Sequence, residues 1–371
     1  MDTVGLGVVG PSGVIGQKHV AEVTASPHAK LVGIHDMNQD AAAEQAVELG
    51  TKHYSDLEAL LGDPEIDAIT IATPHPTHRN IALQAFEAGK HVLTEKPLAA
   101  SPAESDEMVE AASAAGRTLG VVYQNRLRPD AIRVKQLIDE GYLGKLYRTS
   151  IMMASFRAQS YYDSAPWRGT WKGEGGGALF NQGVHYLDLF QWLGGMPVSV
   201  MGQAGTLMHD IEVEDSASAL VEYANGAQGY IHCNTVQTPS DTRMEFWGER
   251  RGIVITDDYI TVYEPEVGLL EFSQRERGNP FAKPTLTSSA LDVPITSADH
   301  QDAIDDFALA IGEGREPAVT GHEGTKSLEL ASAIILSSCR RRTVDLPIDR
   351  IDYDELVGEL AELGSLFTQG A

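Results

Sequence analysis

The stretch Thr3-Val-Gly-Leu-Gly-Val-Val-Gly10-Pro-Ser-Gly13-Val-Ile-Gly16 decides how the first half of this chain is read. Residues 3–10 form an apolar run that predicts a buried strand, and the glycine-rich turn after it opens a helix running to about Ser26. Gly10 and Gly13 permit a tight turn and close backbone approach to a ligand, while Gly16 allows the helix to pack near the strand. The usual fingerprint is GxGxxG; here the first spacing is one residue longer. A ligand-free strand-to-helix turn uses the same residue types, so the motif alone is weak. The context strengthens it: a second strand, residues 30–35, ends at Asp36, about 20 residues beyond the last glycine. A carboxylate there accepts hydrogen bonds from a ribose diol, and the helix start aims amide hydrogens at a pyrophosphate. Dinucleotide binding is therefore predicted, with Gly10, Ser12, Gly13, Val14, Ile15 and Asp36 as contacts. NAD is favoured over NADP, because Asp36 repels a 2′-phosphate and Met37 and Asn38 bring no positive charge. Asp36 as a helix N-cap is a compatible alternative.

Outward from this turn the pattern repeats. Helices are expected at 41–49, 78–88 and 101–115, and strands at 68–72, 91–94 and 118–123. Strands alternating with helices at this spacing predict a doubly wound parallel sheet. After Asn125 the character changes. A helix at 131–140 is followed by longer strands at 145–156, 214–223, 229–235, 242–247 and 252–256, several with period-two alternation. That predicts an antiparallel sheet, open on one face or used for packing between subunits. Further helices are expected at 185–193, 297–313 and 324–338, and residues 268–290 read as the least structured stretch. The fold class is α/β with two domains, 1–125 for the dinucleotide and 126–371 for substrate and assembly.

The chain has 371 residues, more than one hydrophobic core usually organises. A formal charge of -25, from 28 basic and 53 acidic residues, argues against nucleic acid or an anionic membrane as the main partner. It does not exclude an anionic cofactor held by backbone amides. Cys233 and Cys339 make neither a disulfide framework nor a metal spacing. No metal site is expected, since the one adjacent pair, His232-Cys233, points to opposite faces of a strand. A cytoplasmic location fits. The opening residues lack a basic segment, so a secretory leader is not expected, and there is no apolar run of about 18 residues that would cross a membrane.

Three further segments carry chemistry. Thr73-Pro74-His75-Pro76-Thr77-His78 follows the third strand, where Thr73, Pro74 and His78 are candidate contacts to nicotinamide and ribose. The alternatives are a structural turn, a helix cap from Thr77, and a surface position for His75. Glu95-Lys96-Pro97 ends another strand, and an ammonium at Lys96 is placed to stabilise a developing alkoxide. The plainer reading is a surface ion pair of Glu95. The third segment is Gly175-Gly-Gly-Ala-Leu-Phe-Asn181-Gln-Gly183-Val-His185-Tyr-Leu-Asp188. If helical, it puts Asn181 and His185 on one face, with Asp188 near enough to orient the ring. His185 is suited to take a hydroxyl proton; a buried structural histidine is the alternative. Tyr161-Tyr162, Trp167-Arg168 and Trp171-Lys172 suit a polyhydroxylated ligand and suit a subunit interface equally. Asn125-Arg126, at the boundary, either contacts ligand or ties the domains together.

Together these segments resemble the Gfo/Idh/MocA family of oxidoreductases, the glucose–fructose oxidoreductase and inositol dehydrogenase group. The similarity includes His19 after the glycine turn, Asp215, Phe246-Trp-Gly248 and the helix near His300, and it runs across nearly the whole chain. It implies an N-terminal Rossmann domain and a C-terminal α/β domain whose large, mostly antiparallel sheet commonly joins homodimers or homotetramers. It implies that Lys96 assists the reacting hydroxyl and that His185 acts as base. Asn181, Arg126, Trp167 and Arg168 are then substrate contacts, with Thr73, Pro74, His78, Glu95, Lys96 and Asn125 completing the cofactor site. The position of Asn181 is often aspartate in the family; asparagine keeps hydrogen bonding but cannot act as a base.

The expected activity is NAD-dependent hydride transfer from a secondary alcohol of a sugar, cyclitol or sugar derivative. One alternative is a tightly held NAD that cycles internally, for epimerisation, sugar–sugar oxidoreduction or redox-assisted glycoside cleavage. Another is a sugar- or NAD-sensing protein without turnover, against which the presence of Lys96 and His185 argues.

Overall fold

The computed structural model describes residues 3–296 and 299–364. The chain divides into two compact units. The first holds the chain through Leu127, the short piece Lys172–Gly175, and the stretch from Asp299 to Leu328; the second holds residues 128–171, 176–296 and 329–364. The boundary read near Asn125 thus lies close to the first crossing, but the chain re-enters the first unit twice. The reason is visible in packing: Ile304 and Phe307, on the helix His300–Glu313, are buried in the same core as Leu6, Val8, Val20 and Ile34.

The first unit is built on six parallel strands: β1 (Val4–Val9), β2 (Ala29–His35), β3 (Lys52–His53), β4 (Ala68–Ile71), β5 (His91–Thr94) and β6 (Leu119–Val121). Their order is β3-β2-β1-β4-β5-β6. The chain winds outward from β1 to β3 and then returns to the other side of β1 to place β4. This makes a switch point at the carboxyl ends of β1 and β4, where ligands bind in such sheets. Every residue of β1 and β4 is buried, which is why both read as unbroken apolar runs. The helix expected at 297–313 spans His300–Glu313, capped by Asp299 and Asp302 in a reciprocal capping box. Residues 297 and 298 of that expectation lie outside the described residues.

The second unit carries nine strands: β7 (Leu146–Ala154), β8 (Ser199–Gly205), β9 (Ser216–Glu222), β10 (Gln228–Asn234), β11 (Asp241–Gly248), β12 (Gly252–Thr256), β13 (Ile260–Pro265), β14 (Leu286–Ala290) and β15 (Val344–Asp345). The order is β14-β13-β12-β11-β7-β10-β9-β8-β15, with β7 and β10 the parallel pair. Strand β11 alternates buried and less buried positions along its length, as expected of a sheet covered on one face. The stretch 268–290 is more ordered than its composition suggests. It holds the helix Leu269–Arg275 and strand β14, which pairs antiparallel with β13. All five residues of β14 are exposed, so backbone pairing rather than an apolar pattern defines it.

Candidate functional site: a dinucleotide cradle and two candidate segments

In the first unit the glycine turn is shaped by contact. Gly10 has φ +87°, and a Cβ there would lie 2.7 Å from Thr73 Cγ2. A Cβ on Gly16 would lie 1.9 Å from the Gly10 carbonyl oxygen, so the helix Val14–Ala25 comes this close only with glycine. A Cβ on Gly13 would meet nothing within 4 Å, which leaves open space beside the helix start. The longer first spacing is therefore accommodated by the Gly10 turn, and the cradle stays open where a pyrophosphate would meet amide hydrogens. Asp36 closes the turn: its carboxylate accepts the Ser12 N–H at 3.0 Å and the Asn38 N–H at 2.8 Å. The cap of the next helix is Asn38, which accepts from the Ala41 N–H, and not Asp36. A cavity of about 1080 Å³ lies here, lined by Gly10, Ser12, Gly13, Asp36, Thr73 and Pro74 among others. That volume and these donors fit a dinucleotide such as NAD. Val14 is 85% exposed and Ile15 39% exposed at the helix start. Ser55, Asp56 and Gln84 also line the cavity; sequence reading missed them, since Ser55 and Asp56 follow β3 without a periodic signal and Gln84 is one polar residue on the helix His78–Glu87.

The Thr73 loop departs from its expectations in two ways. His75 is buried, not a surface residue, and burial together with the charges of His78 and Lys96 lowers its pKa to about 3. Thr77 gives no cap bond; its hydroxyl donates to the Pro74 carbonyl at 2.7 Å and lies 2.6 Å from the Thr73 hydroxyl. The buried His78 ring sits with Nε2 2.9 Å from the Thr73 carbonyl and Nδ1 3.1 Å from the Pro97 carbonyl. It therefore ties the loop to the Lys96–Pro97 turn, whose peptide is cis.

Lys96 is half-buried, whereas the Glu95 side chain turns inward. Glu95 Oε1 lies 2.9 Å from His19 Nε2 and 3.2 Å from His300 Nε2, so the surface ion pair considered for it is not what forms. Asn125 and Arg126 lie in the short helix Gln124–Leu127. Arg126 is 3% exposed and pairs with Glu323 at 3.1 Å within the same unit.

One helical turn beyond Lys18 on the same helix, Glu22 reports on this region. Burial first, then a hydrogen bond with Asp299, raises its pKa from 4.5 to about 7. A proton bound more tightly in the folded chain stabilises it fully below pH 4.5, and that contribution is lost as pH rises through about 7. Glu22→Gln, which mimics the protonated acid, is expected to match the wild type in thermal melts near pH 4.5 and to become progressively more stable than it toward pH 7. A difference that stays constant across this window contradicts the assignment.

In the second unit, the helix expected at 185–193 spans Val184–Gly194, and a separate short helix precedes it. The helix Ala178–Asn181 ends, Gln182 and Gly183 intervene, and the helix Val184–Gly194 begins. Asn181 therefore closes one helix and His185 opens the next; the backbone at Gln182 and Gly183 stays right-handed, so the two remain close to helical register. Asn181 and His185 are partly exposed and Asp188 is buried. The turn before them rests on Glu214, a fully buried residue that sequence reading missed because it lies far along the chain. Its carboxylate accepts the Gly177 and Leu179 N–H groups, both at 2.9 Å. Beside Gln182 the Tyr161 hydroxyl accepts from Gln182 Nε2 at 3.1 Å and from Arg168 at 2.7 Å. The Arg168 guanidinium lies 4.5 Å from the ring centres of both Tyr161 and Trp167. Trp167 and Arg168 thus come together with Tyr161 as a cationic and aromatic cluster.

Residues 4–123 match the oxidoreductase family with an NAD-binding Rossmann fold, and residues 131–254 match the GFO/IDH/MocA C-terminal domain. The WlbA dehydrogenase from Bordetella pertussis, solved in complex with NADH and UDP-GlcNAcA, is 30% identical with a TM-score of 0.78, covering 94% of this chain and 100% of that one. Myo-inositol 2-dehydrogenase of Thermotoga maritima is 26% identical over 92% of this chain and 98% of its own length. The scyllo-inositol 2-dehydrogenase (NAD(+)) of Bacillus subtilis is 28% identical over 91% and 95%. Among the described residues no helix is long and apolar enough to cross a membrane. The open Gly13 cradle and the Asp36 carboxylate are what such a cofactor site needs, and with these likenesses along both units the chain belongs to the Gfo/Idh/MocA family of NAD-binding oxidoreductases.

Proposed function

We propose that this enzyme oxidises a secondary alcohol of a sugar, cyclitol or sugar derivative, with Lys96 and His185 as its catalytic residues. The observation that carries this reading is the pairing of a cavity bearing Asp36 with the Lys96 turn, which His78 ties to the cavity-lining Thr73. Bound NAD supplies the hydride acceptor. His185 takes the hydroxyl proton as general base, and the Lys96 ammonium stabilises the developing alkoxide. Asn181 donates and accepts hydrogen bonds to neighbouring hydroxyls without adding a charge. Trp167 and Arg168 present an aromatic face and a fork of donors, which suits a ring carrying both apolar faces and hydroxyl edges. Relatives that act on inositols or bind UDP-GlcNAcA support the substrate class.

The enzyme acts in the cytoplasm as a homodimer or homotetramer joined through the nine-stranded sheet. What supports the assembly is a row of side chains in register across three strands. Met201 pairs with Leu220 and Leu220 with Tyr230, and these three are 56%, 60% and 38% exposed. Apolar side chains contiguous on an open sheet face mark a surface that is covered in use.

The test is a panel of myo-inositol, scyllo-inositol, free sugars, sugar acids and UDP-GlcNAcA with NAD and with NADP, read by the absorbance of reduced nicotinamide. Catalytic reduction of NAD by at least one of them supports the reading; no turnover with any, despite NADH binding, contradicts it. In the same assay Asp36→Ser is expected to raise the NADP-to-NAD ratio of kcat/KM by roughly 10- to 100-fold, because it removes a like-charge clash with the 2′-phosphate. An unchanged ratio would show that Asp36 does not face the ribose.

A further inference from the structure

We propose that Glu95 is a positioning residue for Lys96, held in place by His19 and His300. The proposal rests on the catalytic role given to Lys96 above. Three elements converge on one carboxylate. His19 comes from the helix Val14–Ala25, His300 from the start of the helix His300–Glu313, and Glu95 follows β5. Glu95 Oε1 lies 2.9 Å from His19 Nε2 and 3.2 Å from His300 Nε2, and Glu95 Oε2 accepts the Lys96 backbone N–H at 3.2 Å.

The hydrogen-bond pattern fixes the roles of the rings. Both imidazoles donate from Nε2 to the same carboxylate oxygen. His19 Nδ1 lies 2.5 Å from the Thr70 hydroxyl on β4, which holds the other side of that ring. Burial pushes the Glu95 carboxyl up, but the hydrogen bonds from His19 and His300 outweigh it and hold the group well below the usual carboxylate range. Glu95 is thus an anion with every contact directed at structure. His19 Nε2, His300 Nε2 and the Lys96 N–H all point at this one carboxylate, so the cluster is a hydrogen-bonded clamp.

The clamp has a consequence for Lys96. A lysine side chain is a long, flexible stem, so the ammonium can be aimed only if the backbone that bears it is fixed. Here the residue is flanked on both sides: Glu95 accepts its amide N–H, and the buried His78 ring packs with Nδ1 3.1 Å from the Pro97 carbonyl. A displacement of about 1 Å at a reacting group costs on the order of 100-fold in rate. A carboxamide at position 95 cannot replace the clamp, because its NH₂ would face either the two imidazole donors or the Lys96 N–H.

A double-mutant cycle on the full-length enzyme tests this, using the polyol of the panel above that turns over fastest. Glu95→Gln is expected to lower kcat by about 10- to 100-fold, with KM for NAD and NADH affinity (by fluorescence) within about threefold. In the Lys96→Met background the same change is expected to lower kcat by less than about threefold, because the group it positions is gone. His300→Gln, which keeps a donor, is expected to restore most of the activity that His300→Ala loses; this pair gives the same answer if Glu95→Gln does not fold. Equal losses from Glu95→Gln in both backgrounds, or wild-type kcat in Glu95→Gln, overturns the clamp. Normal turnover by Lys96→Met alone instead overturns the catalytic reading of Lys96, so the two failures are distinguishable.

Discussion

Lys96→Met and His185→Asn are each expected to lower kcat by about 10²- to 10⁴-fold while leaving NAD affinity within about twofold. Methionine keeps the length and apolar stem of lysine but removes the ammonium, so what is lost is stabilisation of charge that develops only in the transition state. Asparagine keeps polarity at position 185 but cannot accept a proton at neutral pH. Neither residue lines the cavity that holds Gly13 and Asp36, so cofactor binding should survive both changes. Neither lies among the most deeply buried side chains, and melting temperatures should stay near the wild-type value. Steady-state kinetics with a separate NADH titration checks this. Loss of cofactor binding in parallel with kcat would mean that these side chains hold NAD instead of acting on the hydroxyl.

Glu214→Leu is expected to destabilise the second unit by about 2–6 kcal/mol, since it leaves two buried backbone N–H groups without acceptors at about 1–3 kcal/mol each. That corresponds to a fall in Tm of roughly 5–20 °C. The site has no slack: the Glu214 backbone carbonyl accepts the Ala178 N–H at 2.9 Å, and a Cβ on Gly177 would lie 1.9 Å from that same oxygen. Glu214→Gln should lose nearly as much, because its NH₂ would face one of the two N–H donors. Thermal denaturation followed by circular dichroism measures the effect. A Tm within about 2 °C of wild type would show that this turn is held by other contacts.

The parallel sheet was legible because its strands are buried on both faces and therefore read as apolar runs. β5 falls at the expected residues, and β1 and β4 within a residue or so. β12 was legible for the same reason, and β11 through its alternation. β14 was not, since none of its residues is buried, and β8 carries two glycines in a half-exposed edge region. The helix Arg350–Leu363 also escaped notice, although Asp349 caps it. In the candidate site, residue types and spacing singled out Asp36, Lys96 and His185. They did not show that Glu95 turns inward, because its partner His19 lies 76 positions earlier in the chain. They did not show Glu214 either, whose acceptor role appears only when the chain folds back onto Gly177 and Leu179. Long-range hydrogen bonds of this kind leave no periodic trace in a sequence.

The most direct test of the central claim is isotope transfer. A polyol substrate carrying deuterium on its ring carbons, turned over with NAD, should yield nicotinamide bearing one deuterium at C4 per turnover, read by mass spectrometry of the cofactor. Reduced cofactor without deuterium, or a deuterated polyol that binds and is never oxidised, would contradict hydride transfer from a secondary alcohol.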